Sequence, residues 1–578
     1  MAGTLWFDCE ADGLLDTATI IHCLVTIDEK GGVTSYVGPG VKEGIVALSQ
    51  AGRIVAHNAI GYDLPLIKKL HGVDLHRSTE VFDTLVMSRL CWPDIKEDDF
   101  GNLRKRPEFP KKMIGSHSLA AWGHRLGEKK GDSPSWKLFS QEMLEYCIQD
   151  VKVLKKLFTQ IMSKAPSGPA CKMEHKFAWL MHQQQEHGFL FNGVAADELH
   201  TKLQGRKYEL EELVKSAFPP KVIQLKTKQK LIPFNPGSRL QIAEGFKSKY
   251  GWEPTEFTPD GRPRIDEAVL RSIPHPEAVV LLEYLLVQKR LSQLATGSQS
   301  WLGHQKEDGR IHGRVIPIGC VTSRCSHSRP NVAQVPNAGS PYGEECRALF
   351  TVPPGYKLVG ADASGLELRC LGHYLHAYDD GKFVKELLEG DIHMSNARAA
   401  GLDSLPDGRN LSKTMIYCFL YGGGAEKLGA IVGGGEKEGR ALQNRFLRKT
   451  PALKLLREKV KSKAKKTGKL IAIDKRVIPI RHIHASLNTL LQSAGAILVK
   501  HSTCLLYDKL TEAGLVFGSD YANVGHIHDE IQLEVKEELA EFVGEKAVEA
   551  IRESGLSYGF KCPLDAEYKV GDNWSETH

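Results

Sequence analysis

Residues 409–422 read RNLSKTMIYCFLYG, and how this stretch folds governs the reading of everything around it. Arg409, Lys413, Tyr417 and Tyr421 recur at every fourth position. An α-helix advances about 100° per residue, so each step of four drifts only about 40° around the axis. The four side chains therefore form one gently spiralling stripe, two cations followed by two aromatic rings. Cations suit the phosphates of a nucleotide, and rings suit its base and sugar. A basic and aromatic stripe is also a common half-buried helix face, and its neighbours in sequence decide between the two. Those neighbours are carboxylates suited to hard metal ions, on both sides of the stripe.

At 578 residues the chain is long enough for several domains. A hydrophobic content of 42% and a charged content of 25% are ordinary for a soluble globular protein. Lys plus Arg is 76 against 70 for Asp plus Glu, and the resulting charge of +6 does not by itself call for a nucleic-acid partner. Local distribution says more: ten cations between Lys454 and Arg476 face only Glu458 and Asp474. Such a stretch is a solvated helix or, beside a nucleotide site, a phosphate contact. The 12 cysteines stand singly and make no C-x-x-C pair, which argues against a zinc site and for reduced thiols. The start, MAGTLWFDCEADG, has neither a basic n-region nor a long apolar run. No stretch approaches the roughly 18–20 apolar residues that span a bilayer. A cytoplasmic chain with no membrane partner is expected.

Residues 1–165 read as an α/β unit, with strands at 5–9, 20–27 and 53–56. The Pro-, Ser- and Gly-rich residues 164–169 form the best linker. Residues 171–297 are mostly helical and include the amphipathic stretch 281–294. From about Trp301 onward, strands recur at 310–317, 358–362 and 531–535 with helices between them, an α+β region.

Near the N-terminus, Asp8 and Glu10 are two apart at the end of a strand, so alternation puts them on one face. Asp63 follows in HNAIGYDLP, and Tyr146 and Asp150 in YCIQDV are four apart, on one side of a helix. Four converging acids repel one another unless hard cations neutralise them, above all Mg²⁺ or Mn²⁺. Two such ions can activate water and stabilise the leaving oxygen of a phosphodiester. The set resembles the tyrosine-bearing branch of the DEDD superfamily of 3′–5′ exonucleases. That resemblance implies metal-binding roles for Asp8, Glu10, Asp63 and Asp150, with Tyr146 as the branch's tyrosine.

Lys357-Leu-Val-Gly-Ala-Asp362 is a strand ending in an acid, followed by Ala-Ser-Gly-Leu-Glu-Leu-Arg. Far downstream, Gly525-His-Ile-His-Asp-Glu530 leads into Ile531-Gln-Leu-Glu-Val535, a hairpin with His528, Asp529 and Glu530 at its tip. Asp362 and Asp529 at adjacent strand ends suit a second pair of Mg²⁺ ions, with Lys413 and Arg409 across the cleft from them. The combination of DASGLELR, R-x-x-x-K-x-x-x-Y-x-x-x-YG and HDE resembles family A DNA polymerases, in the replicative branch of short-tailed, T-odd type bacteriophages. The stretches GSHSLAAWGHRLGEKKGD, TSRCSHSRPNVAQVPN, SPYGEECRALF, GDIHMSNA and HASLNTLLQSAGA extend the resemblance over essentially the whole chain.

The resemblance implies a ribonuclease H-like exonuclease domain over 1–165 and a right-hand polymerase after it. The thumb would cover 170–300, and palm and fingers 301–578, with the fingers at about 375–480. Asp362 and Asp529 become catalytic metal ligands with Glu530 beside them. Arg409, Lys413 and His393 become triphosphate contacts. Tyr417 stacks on the incoming nucleotide, and a tyrosine there usually relaxes discrimination against dideoxynucleotides. Tyr421 with Glu367 resembles the gate that excludes a ribose 2′-hydroxyl. Arg324, Asn331, Gln334, Asn488 and Gln492 match residues that touch primer–template DNA in the minor groove, with His528 beside them. Such contacts check shape without reading sequence. Taken singly, the two amides on one helix and the lone arginine are equally at home as caps or surface residues.

Relatives in this branch bind thioredoxin through a long thumb insertion before a segment like Phe234-Asn-Pro-Gly-Ser-Arg239. Here only KVIQLKTKQKLIP joins Pro220 to Phe234, too short for a separate subdomain, so thioredoxin is not expected as a partner. The four lysines of that stretch suit a light electrostatic hold on duplex DNA. Primer–template DNA, dNTPs and a replisome helicase and primase are expected partners of a monomer in the host cytoplasm. Two other functions compete: a single-subunit RNA polymerase, opposed by Glu367, Glu530 and the exonuclease set, and an inactive DNA-binding scaffold, opposed by the complete set of acids.

Overall fold

The computed structural model describes residues 3–131, 135–224 and 229–578. They fall into two compact units, one of residues 1–187, 314–327 and 359–570, the other of 188–313, 328–358 and 571–578.

The first unit begins with a mixed sheet of strands β1 (Thr4–Ala11), β2 (Ile21–Ile27), β3 (Val33–Val37), β4 (Arg53–Ala56) and β5 (Glu80–Asp83) in the order β3-β2-β1-β4-β5. β1 runs antiparallel to β2 and parallel to β4. Period-2 alternation divides β1 between two cores. Phe7, Cys9 and Ala11 pack with Ile45, Leu48 and Leu66, while Trp6 packs with Leu154 and Leu157 from the helix Gln141–Met162. With both faces of the sheet covered, β2 is buried along its whole length.

A second sheet in this unit orders its strands Tyr521–Ile527, Glu530–Lys536, Tyr356–Ala363 and Ala566–Gly571. Although apolar and polar residues alternate over 531–535, Glu530 to Val535 are all buried, because both faces of this strand are covered. The helix Ser486–Glu512 lies against the helix Ala540–Ser557 in the same core.

The 164–169 linker separates two helices, Gln141–Met162 and Gly168–His187, but not two units. The physical reason is charge. Glu174 on the second helix is fully buried and accepts from Lys500 Nζ at 2.9 Å and Arg476 Nη1 at 2.5 Å, while Arg476 Nε also donates to Asp474 at 2.8 Å. Two buried acids against two buried cations balance only while all four stay together. Arg476 and Asp474 thus leave the basic segment for the interior, and Lys454, Lys459, Lys463, Lys465, Lys466, Lys469 and Lys475 remain exposed.

In the second unit, Phe350–Thr351, Phe189–Phe191 and Arg310–Ile311 form a three-stranded sheet. The expected strand 310–317 breaks at Gly313, where a Cβ would meet Val332 Cγ2 at 2.9 Å, and resumes as Arg314–Ile316. The helices Gly193–Ala217 and Pro276–Leu291 carry much of the rest; Ala278, Leu281, Tyr284, Val287 and Leu291 form the buried stripe of the latter. The stretch after Pro220 is a two-stranded hairpin, Lys221–Gln224 with Gln229–Ile232; Lys226 and Lys228 lie outside the described residues. Among the described residues, no helix is long and apolar enough to cross a membrane.

Candidate active sites

β1 projects Asp8 and Glu10 from the face opposite Phe7 and Cys9. Asp63 opens the helix Asp63–His71, and Cys9 Sγ donates to its Oδ1 at 3.2 Å. Asp150 lies on the buried stripe of Gln141–Met162, a helix whose start is fixed by Ser140 Oγ accepting from Met143 N at 3.1 Å. Tyr146 sits one turn earlier on that helix. Burial raises all four carboxyls above the ordinary range. For Asp8 the charges of Glu10, Asp150 and Asp63 push further the same way. Glu10 reaches about 8, through burial and then Asp150. Asp63 reaches about 7, chiefly through burial, and Asp150 about 6 against the lowering effect of Lys130. Among the described residues, Asp150 Oδ1 is buried without a hydrogen-bond partner. Four mutually repelling acids and an orphaned carboxylate oxygen fit a hard divalent cation.

Two neighbours were not legible in the sequence. Lys130 pairs with Asp150 and stands 4.7 Å from the Tyr146 ring centroid. Cys147 has a ligand-capable atom within 4.8 Å of those of Asp8 and Glu10. Burial pushes its thiol well up, and it donates to the Asp8 carbonyl at 3.4 Å, so it acts as a neutral donor beside an oxygen-ligand site.

The second set lies in the other sheet of the same unit. Asp362 ends the exposed tip of Tyr356–Ala363, and Asp529 occupies the turn before the neighbouring strand. Their backbones meet where Ala363 N donates to Asp529 O at 3.2 Å. His528, the first turn residue, has φ 58°, a left-handed conformation that tightens the hairpin to two residues. Burial and then Glu367 raise Asp529 to about 6. Glu530, next to Asp529, is buried at 4% exposure and accepts from Gln532 Nε2 at 2.6 Å.

The cation–aromatic stripe lies on the helix Gly408–Leu420, with Met415, Ile416, Phe419 and Leu420 buried on its other faces. Tyr421 stands just past the last helical residue, yet its N–H donates to Tyr417 O at 2.8 Å and prolongs the turn. The two tyrosine rings stack with centroids 6.3 Å apart, and the His393 ring lies 6.4 Å from Tyr417. Lys413 is exposed. Arg409 is exposed too, and its Nε donates to Asp391 Oδ2 at 2.7 Å; Asp391 also caps the helix of His393, a partner sequence reading missed. Tyr421 Oη donates to Glu367 Oε1 at 2.6 Å, and Tyr417 is raised by burial, then by Glu367 and Asp529. The stripe and the second acid set therefore form one site.

A model of DNA polymerase family A matches residues 204–576. The chain belongs to DNA polymerase family A. It is similar along its length to the DNA-directed DNA polymerase of Enterobacteria phage T3, 36% identical over 707 aligned positions that cover 99% of each chain. The corresponding enzyme of Escherichia phage T7 is 35% identical with the same coverage. The fold is similar to a solved structure of the Pol1 polymerase domain of M. smegmatis in complex with DNA primer–template and dNTP. The TM-score is 0.78 at 18% identity, over 100% of this chain and 96% of that one.

In this family A chain, Arg324 Nη2 donates to Glu367 Oε1 at 3.3 Å, and Asn488 Nδ2 to Tyr421 O at 3.5 Å. Gln492 follows Asn488 one turn later on Ser486–Glu512. Asn331 and Gln334 belong to the second unit. There Gln334 lines a groove of about 1610 Å³ together with Lys207, Arg239, Arg271 and Lys289.

Proposed function

We propose that this chain is a DNA-templated DNA polymerase with a proofreading 3′–5′ exonuclease, serving phage replication. One observation carries the reading: two separate carboxylate sets gather at two different sheets, and the second is joined to a cation–aromatic stripe. In this reading residues 1–165 are the exonuclease domain, the helical stretch up to about 300 is the thumb, and the remainder is palm and fingers. Asp362 and Asp529 would hold Mg²⁺ for synthesis, and Asp8, Glu10, Asp63 and Asp150 would hold it for degradation. The ions would supply an activated oxygen nucleophile and neutralise phosphate charge, two per site, with Mn²⁺ as a substitute.

The chain's own groups do the rest. Lys413, Arg409 and His393 bind the triphosphate, with Arg409 exchanging or sharing its Asp391 contact. Tyr417 offers the base a ring face. Glu367 and Tyr421, locked together, occupy the space a ribose 2′-hydroxyl needs. Arg324, Asn488, Gln492, Asn331, Gln334 and His528 hold primer–template DNA. Tyr146 orients the attacking water over the exonuclease acids. The enzyme works as a monomer in the host cytoplasm beside a helicase and a primase. The short hairpin at 221–232 gives thioredoxin no insertion to bind.

A 5′-labelled primer on a longer template, incubated with Mg²⁺ with and without dNTPs, tests the reading. Lengthening with dNTPs and shortening without them supports both activities. Shortening alone leaves a nuclease, and no change in either lane leaves a scaffold.

A further inference from the structure

Beside the exonuclease carboxylates lies a cavity of about 610 Å³, whose lining includes Asp8, Asp150, Lys130, His117, Arg89 and Arg314. A space of that size takes a whole nucleotide. The charge of Lys130 is already engaged by Asp150. Arg89 and Arg314 are different. Arg89 comes from the helix Thr84–Cys91, and Arg314 is the first residue of Arg314–Ile316, far along the chain in the polymerase half. Neither forms an ion pair with a carboxylate among the described residues. Asp83 is the acid that acts on Arg89, and its two oxygens already accept from the backbone N–H groups of Asn58, Leu85 and Ile60. Burial and then the proximity of Arg314 lower the Arg89 guanidinium to about 10. His117, held near 3 by burial and then by Arg89, is neutral and adds no competing charge. Two neighbouring guanidiniums lining one cavity, neither ion-paired to a carboxylate among the described residues, suit an anion.

We propose that Arg89 and Arg314 form a phosphate subsite in the exonuclease cleft, holding the phosphodiester one nucleotide upstream of the bond that is cut. Guanidinium forks match phosphate oxygens bidentately. In a single strand a phosphate flanks each nucleotide on both sides, so placing the 3′-terminal one at the acids sends its upstream neighbour into the cavity. The polymerase half thereby supplies part of the exonuclease site. The inference rests on the exonuclease reading above.

The test compares two dinucleotides that share one cleavable bond. In both, a water oxygen bonds to phosphorus, the P–O3′ bond breaks, the upstream 3′-oxygen leaves as a hydroxyl with a proton from that water, and dTMP carries the added oxygen. Only pdTpdT carries an upstream phosphate; dTpdT does not. The full-length wild type with Mg²⁺ is expected to favour pdTpdT in kcat/KM by about tenfold, the scale of a charge-assisted phosphate contact. Arg314→Ala, which removes an exposed side chain, should bring that ratio close to one while dTpdT cleavage stays unchanged. Arg89→Gln should do the same. An unchanged ratio in both variants overturns the subsite, as does equal loss on both substrates. A wild type that shortens a labelled oligonucleotide without favouring pdTpdT also overturns it and leaves the exonuclease standing. A wild type that degrades none of them removes the exonuclease and the subsite together.

Discussion

Tyr421 and Glu367 are joined by a 2.6 Å hydrogen bond from phenol to carboxylate Oε1, the same oxygen to which Arg324 donates at 3.3 Å. The pair links the end of the helix Gly408–Leu420 to the helix Leu366–Asp379, which follows the Asp362 strand. In the proposed nucleotide site, a 2′-hydroxyl would have to displace this short bond, whose acceptor is already shared. Glu367→Ala should therefore raise the use of rNTPs relative to dNTPs by about tenfold or more. Ratios of kcat/KM for the two nucleotide classes check it, and an unchanged ratio removes the pair from sugar selection.

The two carboxylate sets stand in separate sheets and should fail separately. Asp529→Asn is expected to lower synthesis by ~10³-fold or more and spare degradation. Asp8→Ala combined with Glu10→Ala should do the reverse. Gel assays of extension and shortening read both, and loss of both activities in either variant argues for a single site.

Without metal, Glu10, Asp63, Asp150 and Asp529 lose their protons near 8, 7, 6 and 6. In the unfolded chain they do so near 4. Between these limits the folded state holds protons that the unfolded state has lost, so stability falls as pH rises. The thermal midpoint in EDTA should decline from about pH 4 to about pH 8. Mg²⁺ should raise that midpoint more at the alkaline end, where the acids are ionised, and exonuclease activity should climb over the same interval. Asp8→Ala with Glu10→Ala should flatten the metal-free decline; a midpoint that rises with pH contradicts the assignment.

Glu174 neutralises two buried cations at once. Glu174→Ala would leave Lys500 unpaired and Arg476 with Asp474 alone, at a cost of about 3–5 kcal/mol. Urea unfolding of wild type and variant measures it. A loss below about 1 kcal/mol would mean that water or rearrangement satisfies the cations.

The hairpin at 221–232 is too short to build a docking subdomain. Added thioredoxin should leave the length distribution of primer-extension products unchanged, and longer products would show that this chain binds it elsewhere.

Much of the chemistry was readable from order and spacing alone. Period 2 put Asp8 and Glu10 on one face of β1, and period 4 lined up Arg409, Lys413, Tyr417 and Tyr421 on one helix. These relations follow from covalent geometry within a few residues, which the chain carries wherever it folds. The hairpin around Asp529 was legible for the same reason, but the burial of Glu530 was not, since it depends on what covers the second face of the sheet. Nor could spacing show that Lys130 would meet Asp150, that Asp391 would hold Arg409, or that Glu174 would pull Arg476 out of a basic run and bind the helix after the linker to the polymerase core. Those pairings join residues from separate elements, and only the packing of the whole chain brings them within reach. Sequence therefore determined which groups each element presents, whereas tertiary structure decided which groups share a cavity, because desolvation and charge balance act between neighbours in space rather than along the chain.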